Sequence, residues 1–254
     1  MFFSLALFAQ DSTRILTNLK INSLLSKIYD NSIVPKEKDE LKQLTYLIQN
    51  NGFTLEEISH DYQNSLLDIE KSLSIWIAMK DTLNEANNRK FRGYLLGHLK
   101  RFSEAKQEIN QAINLFKTKN RLFGIAVSES DLSKVYEMES NLDSAIFFAS
   151  SASSYWRDKE DTFRIISNNI QLMNLFNKSK RYIEAEKLQF LTKHMINENL
   201  HWRPLIDFYF VSGQLFSNLH KKKLHRFYKK LYTHKLKELR KGGTTIISYY
   251  ALAN

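Results

Sequence analysis

The stretch RFSEAKQEINQAINLF, residues 101–116, decides the fold. Its apolar and small positions are Phe102, Ala105, Ile109, Ala112 and Phe116, spaced by three, four, three and four residues. That spacing puts all five on one face of an α-helix. Forty residues on, the same offsets hold Leu142, Ala145, Ala149, Ala152 and Trp156; another forty gives Tyr182, Ala185, Gln189, Thr192 and Ile196. Forty residues back lie Tyr62, Ser65, Ile69, Ser72 and Trp76. A bulky residue, a small one three later and a bulky one eleven further on thus recur at one constant stride. Helix periodicity alone does not fix a 40-residue spacing, so the stride marks a repeat.

The segments preceding these helices repeat too. Gly93 and Leu96, Ser133 and Tyr136, Met173 and Phe176, and Gly213 and Phe216 share one register, with Met173 the odd member. A small residue lets one helix backbone approach its antiparallel neighbour, and the large residue fills the space beside it. Each unit therefore reads as two helices. One unit cannot bury its apolar face alone, and stacked units form a continuous core. The composition agrees: seven Gly and two Pro in 254 residues, with no run of alternating β-branched residues, favour helices over many short strands.

On Gly93, Leu96, Phe102, Ala105 and Ala112, and again on Ser133, Tyr136, Leu142, Ala145 and Ala152, the chain resembles the tetratricopeptide repeat family. The stride exceeds that family's usual 34 residues and is similar to the longer-helix units of bacterial regulators and sensor proteins of Bacteroidetes type. The usual Pro at the unit end is absent, and Thr192 replaces a small apolar residue. The resemblance implies an all-α, right-handed solenoid of antiparallel helix pairs. It implies a non-catalytic scaffold whose concave groove, lined by the first helix of each unit, binds a peptide or protein. On those helices the groove positions are Tyr94, His98, Lys134, Glu137, Asn174, Lys178, Gln214 and Asn218. Asn and Gln side chains can pair with a peptide amide, and Lys134 or Lys178 with a carboxylate. A solvated helix face would also be polar, and that reading stays open. In the resembling bacterial proteins such an array is the N-terminal sensory arm of a sensor kinase or transcriptional regulator.

Residues 54–254 carry the repeat, and residues 11–53 read as irregular helices or a degenerate repeat with a turn at the Asn50-Asn51-Gly52 run. The opening MFFSLALFAQDS reads as the remnant of a secretory signal peptide over residues 1–10, although no Lys or Arg precedes its short apolar run. This favours an exported protein of the periplasm or cell envelope over a cytoplasmic one. Gly242 and Gly243 break a helix, and Ile246, Tyr249 and Ala253 fall in the register of Ile206, Tyr209 and Gly213. The sequence is therefore expected to be a fragment that stops inside a further repeat.

Motifs for chemistry are lacking. With no Cys, disulfides, thiolate metal sites and a Cys nucleophile are excluded. No HExxH pair, phosphate-cradling glycine loop or GxSxG elbow occurs. The seven His read as solvated surface residues, and Trp76, Phe116 and Trp156, recurring at the repeat stride, read as packing. No cofactor, metal or catalytic residue is expected. Charge is the remaining feature. Residues 220–241 hold ten Lys or Arg against the single acid Glu238, including Lys221, Lys222, Lys223, Arg226, Lys229 and Lys230. Interleaved aromatics make this an amphipathic helix with a basic face. It is either the solvated outside of one solenoid helix or an attachment point for nucleic acid or anionic membrane.

Overall fold

The three- and four-residue spacing of apolar positions produces helices throughout. A computed structural model of the chain describes residues 18–196 and 201–241, and among the described residues there are eleven helices and no strand. Helix α1 covers residues 18–29. It is followed by α2 (Pro35–Ser59), α3 (Tyr62–Ala78), α4 (Thr82–His98), α5 (Phe102–Thr118), α6 (Leu122–Met138) and α7 (Leu142–Asp158). Then come α8 (Thr162–Lys178), α9 (Tyr182–Met195), α10 (Trp202–Asn218) and α11 (Lys222–Lys241). From α3 onward every helix begins twenty residues after the one before it. The 40-residue stride is thus two half-units of matched length.

The turns explain this regularity. His60, Lys80, Lys100, Asn120, Ser140, Glu160, Lys180 and His220 all have positive φ. At Lys100 the backbone N–H reaches the Gly97 carbonyl at 3.0 Å, and the Arg101 N–H reaches Leu96 at 2.9 Å. The same pair of bonds recurs at Asn120–Arg121, Ser140–Asn141 and Lys180–Arg181. These are Schellman closures, which satisfy the last carbonyls of a helix through backbone groups alone. The next helix then starts at once. Asp61, Asp81, Asn141 and Asp161 cap it by accepting from the N–H of Asn64, Asn84, Ser144 and Arg164, each cap being worth about 1 kcal/mol.

Small residues set the spacing within each pair. A Cβ on Gly93 of α4 would lie 2.8 Å from the Ala105 carbonyl oxygen of α5. In the next unit the Ser133 hydroxyl donates to the Ala145 carbonyl at 2.7 Å. Ala105, Ala145 and Ala185, one in each successive unit, are all fully buried. Large residues join one pair to the next: Phe116 of α5 sits on Gly124 of α6, and Trp156 of α7 packs with Ala126 and Ile165. Trp76, Phe116 and Trp156 are core residues, as their spacing implies. Each side chain so buried contributes about 1.5–3 kcal/mol.

One expectation fails. The Asn50-Asn51-Gly52 run is not a turn; α2 runs straight through it, and the 53/54 boundary falls inside that helix. Gly52 is a packing residue. Its carbonyl accepts from the Ser65 hydroxyl of α3 at 2.7 Å, and a Cβ there would meet the Ile69 side chain at 3.1 Å. Packing against α3 offsets the roughly 1 kcal/mol that Gly costs a helix. Gly52 and Ser65 are thirteen residues apart, whereas Gly93 and Ala105, and Ser133 and Ala145, are twelve. One extra residue before α3 therefore shifts α2 out of the forty-residue register. The leader read into residues 1–10 and the helix expected after Gly243 lie outside the described residues.

Candidate functional site

The first helices of successive units, α4 with α6 and α8 with α10, pack on one another as well as on their own partners. They form one wall, and on it the eight groove positions fall into separate groups.

At one end four rings cluster. His60 and Tyr62 lie 5.6 Å apart between centroids, Tyr62 and His98 lie 4.3 Å apart, and Tyr94 meets His98 edge-on at 4.6 Å. The Tyr94 hydroxyl donates to Glu56 of α2 at 3.2 Å. The Lys134 ammonium sits 5.5 Å from the Tyr94 ring centre and pairs with Asp131 at 3.1 Å. Tyr94, His98 and Lys134 are thus brought together. Burial, then Lys134, then His60 lower the His98 pKa to about 4. The ring is therefore neutral at neutral pH, because a cation there would lose its water and face a second cation. The Nε2 atoms of His60 and His98 are buried with no hydrogen-bond partner among the described residues. The expectation of solvated surface His is corrected here. It is corrected again at His225, which is half-buried with Nδ1 2.9 Å from the Gly213 carbonyl. In both places the side chain lies under a neighbouring helix, which spacing within one helix does not reveal.

The second group joins two units. The Glu137 carboxylate of α6 accepts from Asn174 Nδ2 of α8 at 2.6 Å and from Lys178 Nζ at 2.9 Å. The Glu137 side chain is 4% exposed and that of Lys178 is 48% exposed. The acid is therefore built into the wall while the ammonium reaches solvent. Asn174 is buried, its amide directed at Glu137. The other carboxylate oxygen of Glu137, Oε2, is buried without a partner among the described residues. Further along, Asn218 of α10 donates to Asn177 of α8 at 3.0 Å, and Gln214 is half-buried on α10. Sequence reasoning missed Glu56, His60, Asp131 and Asn177. Glu56 and His60 sit on the helix whose register is shifted, and Asp131 and Asn177 lie one turn from the positions singled out.

The basic helix α11 packs Tyr228 inward and leaves Lys222, Lys223, Arg226, Lys229 and Lys230 exposed. Lys221 pairs with Glu186 of α9, and Lys235 with Glu238 at 2.9 Å. Among the described residues no group of three or more His, Asp or Glu is placed to hold a metal, and no helix is long and apolar enough to cross a membrane.

No protein-family model matches the chain, and no curated protein matches it in sequence. Solved structures do match in shape. BtubC (BKLC) from P. vanneervenii superposes with a TM-score of 0.67 at 10% identity, covering 89% of this chain and 90% of that one. A kinesin light chain of P. anserina with nearly identical TPR-like repeats gives 0.60 at 8% identity, over 79% of this chain and 97% of that one. The fold is a TPR-like solenoid. The apo form of RapI is also similar, at 0.59 and 15% identity over 89% of this chain and 79% of that one. At such identities the likeness concerns the path of the backbone, and the groove of this TPR-like solenoid is described by its own side chains.

Proposed function

We propose that the chain is a non-catalytic protein-interaction scaffold. Its inner wall holds an extended peptide or protein partner, and it serves as the N-terminal sensory or scaffold part of a larger exported or membrane-anchored signalling protein. One observation supports this most directly. Successive first helices place a half-solvated cation, Lys178, over a carboxylate sunk in the wall, Glu137, which keeps one oxygen without a hydrogen-bond partner. A partner carboxylate can meet the ammonium, and a partner N–H can reach the spare oxygen after a small side-chain movement. The clustered rings of Tyr62, His98 and Tyr94 add an apolar edge to the same row.

The test uses a peptide selected from a random library against the purified protein. Asn174→Ala combined with Lys178→Ala is expected to weaken its binding about 10- to 100-fold, the worth of a charge-assisted contact. Binding is measured at a temperature where the helicity of the variant matches the parent, because the buried Glu137 loses both donors and thermal stability falls. Equal affinity for both proteins rejects the groove. The signalling context is tested separately, by sequencing downstream of residue 254 for a membrane-spanning helix and a kinase or DNA-binding domain.

A further inference from the structure

We infer that the exposed outer face formed by α9 and α11 docks on an anionic lipid membrane. On α11, Lys223, Arg226, Lys230, His234, Lys237 and Lys241 recur at three- and four-residue spacing, and all six are exposed. They form a straight row about 27 Å long. None has a carboxylate within 4.0 Å among the described residues. The segment that carries this row dominates the charge of the protein. Residues 220–241 hold ten Lys or Arg and one acid, whereas the rest of the chain holds 27 Lys or Arg and 26 acids. The rest is therefore nearly neutral, and the positive field is confined to one helix.

Solvation does not demand this choice. Lys230 and His234 correspond by the repeat to Ser150 and Ser154 on α7, and to Asn110 and Asn114 on α5. Those residues are exposed as well and carry no charge. The fold asks only for polar side chains there.

Helix α9 lies beside α11. Gln189 donates to the Tyr228 hydroxyl at 2.7 Å, and Glu186 pairs with Lys221. Its outer face is apolar where a solvated face is expected: Ile183 is 71% exposed, Phe190 62% and Leu191 56%. Phe190 holds the same place in its unit as Lys230 does in the next. Phe227 of α11, 52% exposed, continues the apolar surface into the basic row.

The combination selects the partner. A nucleic-acid backbone would neutralise the Lys and Arg and leave Ile183, Phe190 and Leu191 in water. An anionic bilayer meets both needs: headgroup phosphates receive the cations, and the apolar side chains enter the boundary beneath them. This surface lies on second helices, on the side away from the groove wall, so the inference does not depend on the groove.

The experiment is flotation of the full chain with vesicles of phosphatidylcholine, with or without phosphatidylglycerol, at low and high salt. Binding is expected only with phosphatidylglycerol, falling as salt rises. The triple change Lys223→Gln, Arg226→Gln, Lys230→Gln should weaken it about 100-fold. Ile183→Ser with Phe190→Ser should weaken it about 100-fold and abolish the part that survives salt. All five side chains are exposed, so helicity should be unchanged. Asn174→Ala with Lys178→Ala should bind vesicles like the parent. Three outcomes overturn the inference: no vesicle binding by the parent chain, binding indifferent to either set of changes, or capture of RNA or an acidic protein on α11 without vesicle binding.

Discussion

Replacing Gly93 by Ala should destabilise the protein and replacing Gly213 by Ala should stabilise it, although the two glycines hold the same place in their units. At Gly93 a Cβ would lie 2.5 Å from Ile109 Cγ1 and 2.8 Å from the Ala105 carbonyl oxygen. The Ile side chain can turn away; the carbonyl belongs to the backbone of α5 and cannot. At Gly213 the nearest atoms are Tyr228 Cβ at 3.8 Å and the Lys229 nitrogen at 4.0 Å, which is ordinary contact. Gly to Ala inside a helix gains about 1 kcal/mol. Overpacking against rigid neighbours costs about 1–3 kcal/mol. Gly213→Ala should therefore gain about 1 kcal/mol, and Gly93→Ala should lose about 1 kcal/mol net. The resulting gap of about 2 kcal/mol corresponds to about 0.7 M in urea midpoint for a domain of this size. Urea unfolding followed by circular dichroism measures both variants against the parent. Shifts of the same sign would refute the argument that distance to the facing helix, and not helix propensity, governs this position.

His98 should titrate with a midpoint near 4, read from its ring proton resonances, where an unburied imidazole titrates near 6.5. The folded chain then binds fewer protons than the unfolded chain between those values. The stability His98 contributes is complete above pH 6.5 and is lost as pH falls towards 4. Acidification from pH 7 to 5 should remove on the order of 2 kcal/mol, a slope that His98→Phe should lack; a midpoint near 6.5 would place the ring in solvent. At the turns, Lys100→Gly and Lys180→Gly should each stabilise by about 0.5–1 kcal/mol. The left-handed conformation costs a side chain about 1–2 kcal/mol, and the greater freedom of unfolded Gly returns part of it. Destabilisation by either change in urea unfolding would contradict the positive φ at these residues.

The repeat was legible because Ala105, Ala145 and Ala185, with Phe116 and Trp156, face the same physical demand in each copy: close backbones at one level, a filled gap at another. The half-stride was not. Its marker is a left-handed residue closed by backbone bonds, and Lys, Asn, Ser, Glu and His all serve there, so no residue type signals it. The Asn50-Asn51-Gly52 run misled for the opposite reason: a composition that ends helices is here a contact surface for α3. Of the candidate groove, the sequence placed Tyr94, His98 and Lys134 on one side of the array. It could not show that Glu137 holds Asn174 and Lys178, because that grouping exists only once one unit is laid on the next. The apolar surface of Ile183 and Phe190 was visible in principle, as a second stripe off the buried line of Ala185, Gln189 and Thr192.

Because the helices from α3 onward share one starting interval and one manner of closure, a cut and a splice can fall at equivalent corners. Excising residues 121–160 would carry the chain from Asn120 directly to Asp161, bringing Phe116 onto the face of α8 that now receives Trp156. The aromatic would meet Arg164, whose guanidinium already lies 4.9 Å from the indole. Removing a single residue would instead turn every later side chain by about 100° relative to what precedes it. Such an array tolerates the gain or loss of whole modules far better than small indels, and its reach is an adjustable dimension.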